Sequence, residues 1–563
     1  MINKSTFFIQ TIILVFTFAL PRYAFANASP EGTLPQVGEV VSAPKAVVVE
    51  VPADVKLQQL LDTKLTVDYF DIQGVKSVSL EELNAVFTSS LNKPLKLQNV
   101  IDLANVVTKI YADKGYPLSF AYIPAQDFSN HKVVVLVIEG YVGNVNVQGN
   151  FGGTESKIRS IVEPMLREKP LTKNTMERCN GLLSLLPGLA IQASLNLPER
   201  RDGASELLIS ANRITIAAGV NVESMRPKAR GVITIQTNSQ TASAEQFTFT
   251  ALASQQDEEY YAAGYSQMLG SKGLTLKVNG SMYDGTTEEY MPANEKRKVL
   301  SLRLSSSLSY PLLINRNESL IGSVTLSAIN YEDKFQNKTE PRSVTSKTNS
   351  RALAIGAIYT NIKPGQAQRL QLTLTKGLDI LESAKSYKAN FDTSQIFVNP
   401  DDLQFTKLNL ALVQNNAYAM GFGSAMSLSA QFSADQLPLS ERIQFGGYQY
   451  GRAFAPGVLA GDSGWGLGLE INKPLPLFYD FSYFKLVALQ PYVLFEAART
   501  IQNNKATDST SIQHLSSLAT GLRFQTDKAG TLDMSIAKAL SDQSLNISTT
   551  GLTFNLNYGM LLN

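Results

Sequence analysis

The feature that most constrains this chain is a run of sixteen short segments, from Arg213 onward, in which apolar residues alternate with Ser, Thr, Asn, Gln and Gly. They centre on RITIAAG, GVITIQT, EQFTFTA, YYAAGY, LTLKVN, LSLRLSSSLS, SVTLSAINY, LAIGAIY, LQLTLT, TKLNLAL, SAMSLSAQF, GLGLEI, PYVLFEAA, LATGLRF, TLDMSIA and TFNLNY. A period of two with no helical component is the pattern of a strand with lipid on one face and water on the other. A soluble sandwich also alternates, but here the connections sort by parity. The odd ones include long polar stretches, 284 to 297, 332 to 350, 379 to 404, 434 to 463 and 499 to 512, while the even ones, such as TNIKPGQAQ and TDKAG, are mostly short. Long loops on one rim and tight turns on the other predict a transmembrane β-barrel of sixteen antiparallel strands over 213–563, with both ends on one side of the membrane.

The N-terminus agrees with export from the cytoplasm. MINK, the apolar run FFIQTIILVFTFAL and the small residues of Ala24-Phe25-Ala26 have the form of a secretory signal peptide over 1–26. Residues 27–64 read as a periplasmic linker. Charged residues are sparse, at 17%, and fifty basic against forty-eight acidic residues give a net charge of +2, so no nucleic-acid partner is indicated. The one cysteine, Cys179, excludes an internal disulfide, and two histidines, His131 and His514, exclude a histidine-rich metal site. No cofactor motif is present.

Between 65 and 212 the chain repeats. Tyr69-Phe70-Asp71-Ile72-Gln73-Gly74 is matched by Asn144-Val145-Asn146-Val147-Gln148-Gly149, an offset of 75 residues between Gln73 and Gln148, and Lys93-Pro94-Leu95 recurs as Lys169-Pro170-Leu171. Two small α+β domains are predicted, 65–141 and 142–212, each running strand, helix, helix, strand, strand. Ser79 and Thr154 stand at helix N-cap positions, and Ser79 with Glu82 has the spacing of a capping box. Val100, Leu103, Val107 and Ile110 share one helical face, and Met176, Cys179, Leu183 and Leu186 another, which makes Cys179 a core thiol.

Two repeats followed by sixteen strands resemble the two-partner secretion transporters, the haemolysin-activator or haemagglutinin-exporter family within the superfamily of POTRA-bearing barrels. IEGYVGNVNVQGN at 138–150 resembles that family's junction between two POTRA domains. The loop 434–463 is similar to the family's motif loop. Gly446-Gly447 precedes Gly451-Arg452-Ala453-Phe454, where members carry a glycine pair and then Val-Arg-Gly-Tyr/Phe, with Ala453 in place of the glycine, and Gly461-Asp462 follows. The resemblance implies a non-enzymatic outer-membrane transporter with its POTRA domains in the periplasm. Its partners would be membrane lipid and one large exoprotein passenger with an N-terminal secretion domain. An assembly or insertion factor for other barrels is the alternative. Members often begin with a plugging helix, and the Val- and Pro-rich run within 27–64 leaves a plug open.

Gly461-Asp462-Ser463-Gly464 also has the form of a protease nucleophile segment, but the candidate partners His131 and His514 fall in a periplasmic domain and an outer loop. The loop arginine has a more specific reading. In strand twelve Trp465, Leu467, Leu469 and Ile471 alternate with Gly466, Gly468, Glu470 and Asn472, so the glycine face points into the lumen and leaves room for a folded-in loop. In strand thirteen the same alternation points Leu494 and Glu496 inward. The resemblance places an acidic partner for the loop arginine at Glu496, and Arg452 is expected to turn inward and pair with Glu496 or, failing that, Glu470.

Overall fold

The computed structural model describes residues 48–50 and 64–562, apart from 199–201, 226–227, 256, 288–293, 392–400, 482–484, 506–508, 528–529 and 542–550. The expected signal peptide and most of the 27–64 linker, with the question of a plug, lie outside the described residues.

The chain begins with β1 (Val48–Glu50), β2 (Lys64–Thr66) and β3 (Tyr69–Gln73), followed by α1 (Leu80–Thr88), β4 (Pro94–Lys96), α2 (Leu97–Asp113), β5 (Phe120–Tyr122) and β6 (Lys132–Ile138). A second unit follows as β7 (Tyr141–Asn150), α3 (Glu155–Arg167), α4 (Lys173–Ser184), β8 (Leu189–Asn196) and β9 (Ala204–Arg213). The two sheets have one design. β6 lies between parallel β3 and antiparallel β5, and β9 between parallel β7 and antiparallel β8. Each unit buries its two helices on one face of its sheet, around Val100, Val107 and Tyr111 in the first and Ile158, Val162 and Leu183 in the second. Cys179 lies in the second core, where burial pushes its thiol up to about 12.

Local capping differs from the sequence expectation. Ser79 is the N-cap residue of α1 but its side chain makes no capping bond, and the Glu82 side chain, instead of completing a capping box, pairs at 2.7 Å with Lys114 just past the end of α2. Thr154 likewise bonds back to the Phe151 carbonyl at 2.6 Å rather than capping α3. A side-chain cap forms at Thr172, which accepts from the Thr175 amide at the start of α4.

At the junction 138–141 one carboxylate gathers donors of the first unit, and main-chain bonds beside it reach the second. Glu139 accepts from the Lys76 and Ser77 amides at 2.8 and 2.7 Å, from Ser77 Oγ at 2.9 Å and from Tyr111 Oη at 2.9 Å. Beside it the Leu171 amide donates to the Gly140 carbonyl, and the Lys173 amide to the Gly115 carbonyl.

The sixteen barrel strands are Ile216–Met225, Lys228–Asn238, Gln246–Ser254, Glu258–Leu269, Leu274–Thr287, Glu295–Ile314, Glu318–Asn337, Ser343–Lys363, Gln366–Gly377 with an outer continuation Ala384–Ala389, Thr406–Ala417, Gly423–Phe432, Ser463–Asn472 continued by Leu475–Asp480, Lys485–Asn504, Ser509–Thr526, Thr531–Ser541 and Thr553–Leu562. We number them barrel strands 1 to 16. Strand 16 closes on strand 1, with Ala218 opposite Leu562, so the barrel has no free seam.

Each of the sixteen alternating segments marks a separate strand, with RITIAAG reaching back from strand 1 to the end of β9 and EQFTFTA starting one residue before strand 3, but three supposed loops do not exist at that length. Strands 6 and 7 remain paired out to Glu295–Asn337, and strands 7 and 8 to Gln336–Ser343, so most of 332–350 is ladder, as are both ends of 284–297, where Thr287 pairs with Arg297. Strands 13 and 14 pair out to Asn504–Ser509, which shortens 499–512 in the same way. Beyond the bilayer both faces meet water, so the alternation fades while the hydrogen bonds continue. The two long connections that remain are 378–405 and 433–462.

The second unit docks on the barrel's near rim. Arg178 of α4 donates to Tyr310 Oη at 3.0 Å and to the Pro311 carbonyl, Lys157 of α3 donates to the Met268 carbonyl, and Met268 with Ala244 joins the unit's apolar core.

Candidate functional site

The connection 433–462 does not stand above the barrel but folds down into it. Its own short ladder, Ile443–Phe445 with Leu459–Gly461, stiffens the two legs, and Ile443, Phe445, Tyr450, Phe454 and Leu459 form an apolar core with Ala498 and Leu515 of the wall. The sharp turn between the legs requires glycine. Gly446 has φ +122°, and a Cβ there would lie 2.2 Å from the Ala455 carbonyl oxygen. Ala453, where the family's motif has glycine, is outside the left-handed region and costs no backbone strain.

The glycine face of strand 12 receives the loop. A Cβ on Gly466 would lie 2.5 Å from Tyr450 and 2.7 Å from Phe445, so side chains of the loop fill the space that the missing side chain leaves. Trp465, Leu469 and Ile471 face outward and are exposed. On strand 13 Leu494 and Glu496 are buried inward, while Val493 and Phe495 face out.

At the loop's tip Arg452 is buried, and its main chain and side chain have different partners. The Arg452 amide donates to Glu496 Oε2 at 2.8 Å, and Ser517 Oγ donates to the same oxygen at 3.0 Å. The guanidinium instead bonds the Tyr492 hydroxyl, approaches Ser535 Oγ at 3.4 Å and forms its ion pair with Asp533 at 3.6 Å. Tyr492 in turn donates to Asp533 Oδ1 at 2.6 Å, and the Arg452 carbonyl accepts from Asn555 of strand 16 at 3.0 Å. The expected side-chain pairing with Glu496 or Glu470 is therefore corrected. The arginine stem carries its charge past Glu496 to Asp533, and Glu470 is already held by Arg523 at 3.1 Å. Arg523 also reaches Asp533 at 3.4 Å, so Asp533 sits between two guanidinium groups. Asp533 and Tyr492 were missed in the sequence, although both lie at lumen-facing positions of their strands, where an isolated acid or phenol is a signal.

A second ionic cluster holds the loop's root. Asp462 is fully buried, its Oδ1 accepting from the Leu437 amide at 2.8 Å and Arg442 Nε at 3.1 Å, and its Oδ2 from the Asn503 amide of strand 13 at 2.7 Å. Lys407 of strand 10 pairs with Glu441 at 2.7 Å, and Gln431 of strand 11 donates to the carbonyls of both Glu441 and Asp462. One carboxylate thus ties both legs of the loop to the wall. The serine of the protease-like segment is occupied structurally, Ser463 Oγ donating to the Ser433 carbonyl and accepting from the Ser433 amide, each at 2.9 Å. Gly447 and Gly451 meet in an isolated bridge within the turn, and Gly461 lies against Ile501 and Thr500.

A closed sixteen-strand barrel with α+β units on one rim and a loop ionically held in its lumen defines a class, the POTRA-bearing outer-membrane barrel transporters. The model of the haemolysin secretion/activation protein ShlB/FhaC/HecB family matches residues 233–524, more than half of the chain, and the ShlB-type POTRA domain model matches residues 65–140. The chain belongs to this family of secretion transporters. Among curated relatives it is similar to the heme/hemopexin transporter protein HuxB of Haemophilus influenzae strain 86-028NP, 22% identical over 494 residues, which cover 83% of this chain and 82% of that protein. Its fold is shared with CdiB from Escherichia coli at 16% identity and a TM-score of 0.65, covering 92% of this chain and 94% of that one. CdiB from Acinetobacter baumannii follows at 14% and 0.56, covering 94% of each chain. BamA from Haemophilus ducreyi lacking POTRA domains 1–3 matches at 14% and 0.52, covering 87% of this chain and 99% of that one.

Proposed function

We propose that the protein captures one large exoprotein in the periplasm, through an N-terminal secretion domain of that passenger, and exports it through the barrel lumen to the cell surface or medium. Residues 65–141 and 142–212 act as two periplasmic POTRA domains, and 213–563 as the conduit. Capture is by strand addition, in which main-chain hydrogen bonds hold an extended passenger segment with little demand on its sequence. The observation that carries this reading is the β8 edge. Val48–Glu50 already lies along it as a parallel ladder, Val48 opposite Ser194, so the edge accepts an extended segment. No nucleotide, cofactor or nucleic acid enters the mechanism. Refolding of the passenger outside opposes its return.

In this reading the loop 433–462 occupies the lumen at rest, and Arg452 with Asp533, Tyr492 and Glu496 fixes its tip in a transport-competent position. Gly446, Gly447, Gly451, Ala453 and Phe454 shape the turn that brings Arg452 there, and Asp462 holds the root. Removing residues 65–212 should leave an inserted pore that no longer secretes the passenger. Secretion that survives the deletion would place recognition in the barrel and overturn the capture step.

A further inference from the structure

The lumen wall changes character with depth on strands 3 to 7. Toward the near rim its inward positions carry small polar groups. Thr275, Ser309 and Ser323 lie in one ladder row across strands 5 to 7, and Asn279, Ser305 and Ser327 in another. That is the lining of a wet channel. Farther out the same faces turn apolar. Tyr260, Tyr283, Ser301 and Tyr331 share a ladder row across strands 4 to 7, and Leu252, Val299 and Ile329 join the three tyrosines in one cluster.

This cluster is buried although it faces the lumen. Val299 is fully buried, and Tyr283 and Tyr331 are 2% and 3% exposed. Leu439, from the connection rooted on strands 11 and 12, packs on it from across the ring. The neighbours of Leu439 are anchored. Leu437 is buried with Ala352 of strand 8 and Phe405, and Glu441 pairs with Lys407 of strand 10 at 2.7 Å, so Leu439 is held across the outer lumen between two fixed points.

The tyrosine rings are fixed from behind. Tyr283 Oη donates to Glu258 Oε2 at 3.1 Å, and a Cβ on Gly285 would lie 2.3 Å from the same hydroxyl oxygen, so glycine there lets the ring lie along the wall. Tyr331 Oη accepts from Arg297 at 3.3 Å. The ion pairs of Arg230 with Glu258 at 3.7 Å and Arg297 with Asp333 at 2.7 Å hold those partners in turn. Rings whose hydroxyls are tied off present their apolar bodies, and an apolar constriction excludes water and ions until a chain fills it.

We propose that this tyrosine-lined patch is the outer gate of the lumen and a contact face for the moving passenger. Leu439 seals it at rest, and during export an extended, partly apolar stretch of the passenger takes the place of Leu439 against the rings. The proposal rests on transport through the lumen and adds where the channel is closed and what the passenger touches there. Leu439 shows the fit, since an apolar side chain on a peptide segment already occupies the patch. Extended polypeptide is the class of partner, because rings and aliphatic groups hold successive side chains with little demand on sequence.

Two substitutions on opposite sides of the seal test it, Leu439→Ser in the connection and Ile329→Asn in the wall. In planar lipid bilayers the full-length protein without passenger should show a resting conductance raised severalfold in each variant, and Leu439→Met should leak less than Leu439→Ser. Trypsin added to intact cells should still spare Arg442 in both, which separates an opened seal from a lost loop. Wild-type conductance in both variants, or a leak that in both comes with cleavage at Arg442, would overturn the seal. Contact with the passenger is read by a photo-crosslinking phenylalanine derivative at Tyr331 in cells whose passenger is stalled during export, where an adduct is expected. An adduct from the same probe at Asn279 with none at 331 would leave lumen transport standing and overturn the gate's contact with the passenger. Adducts at neither position would overturn that contact together with lumen transport, while the conductance still decides the seal.

Discussion

Arg452 is held by groups from strands 13, 15 and 16, and the arrangement separates anchoring from charge compensation. Glu496 receives the backbone amide, whereas Asp533 and the Tyr492 hydroxyl receive the guanidinium. Removing one partner of a desolvated ion pair costs about 3 to 5 kcal/mol. Arg452→Ala and Asp533→Ala should each reduce export while the barrel still inserts. In a double-mutant cycle on loop stability the pair should couple by about 1 to 3 kcal/mol, and strictly additive effects would show that they are not partners. Arg452→Lys should rescue only partly, because an ammonium cannot span Tyr492, Asp533 and Ser535 as a planar fork does. The inward course of Arg452 was legible because glycines alternate with apolar residues on strand 12. The identity of its partner was not, because alternation gives the face of a residue and not the depth a long side chain reaches.

At the scale of elements, the loop root and the unit junction are each organised by one carboxylate. Asp462 satisfies three donors, those of Leu437 and Arg442 buried and that of Asn503 half-buried, and each buried donor left unmade costs about 1 to 3 kcal/mol. Asp462→Ala should therefore free the root and expose Arg442, now buried, to trypsin added to intact cells. A loop as resistant as wild type would assign the root's rigidity to its apolar core instead. Gly461-Asp462 stood out in the sequence, but nothing local marks a loop as buried, so no signal there points to Lys407, Glu441 and Arg442, all of which are buried. At the junction, burial alone would raise the Glu139 carboxyl. Its bonds from Ser77, Lys76 and Tyr111 outweigh that and hold it below the ordinary glutamate value. A depressed carboxyl contributes stability above its unfolded pKa, about 4.3, and loses it as pH falls through the lower folded value. The α-helices among the described residues all lie in the two units, so helical circular dichroism of the full chain reports their melting apart from the barrel. Their melting temperature should drop across this acid window, and Glu139→Gln should lower it at neutral pH and flatten the acid dependence. An unchanged profile in the variant would remove Glu139 from that role.

At the scale of the molecule, the pieces form one path from a strand-accepting edge, through a unit docked on the near rim, to a lumen filled by an ionically held loop. The sixteen-strand plan was legible because lipid imposes alternation on every crossing. The outer extensions of strands 6 to 8 were not, because no lipid face marks them. The central claim is that the passenger travels inside this barrel, and an insertion factor of the same fold would instead engage its client outside. A photo-crosslinking residue at Asn279, on the lumen face of strand 5, is compared with one at Leu304, on the exposed outer face of strand 6, in cells whose passenger is stalled during export. The account predicts a passenger adduct at 279 and none at 304. An adduct at 304 with none at 279 would contradict transport through the lumen.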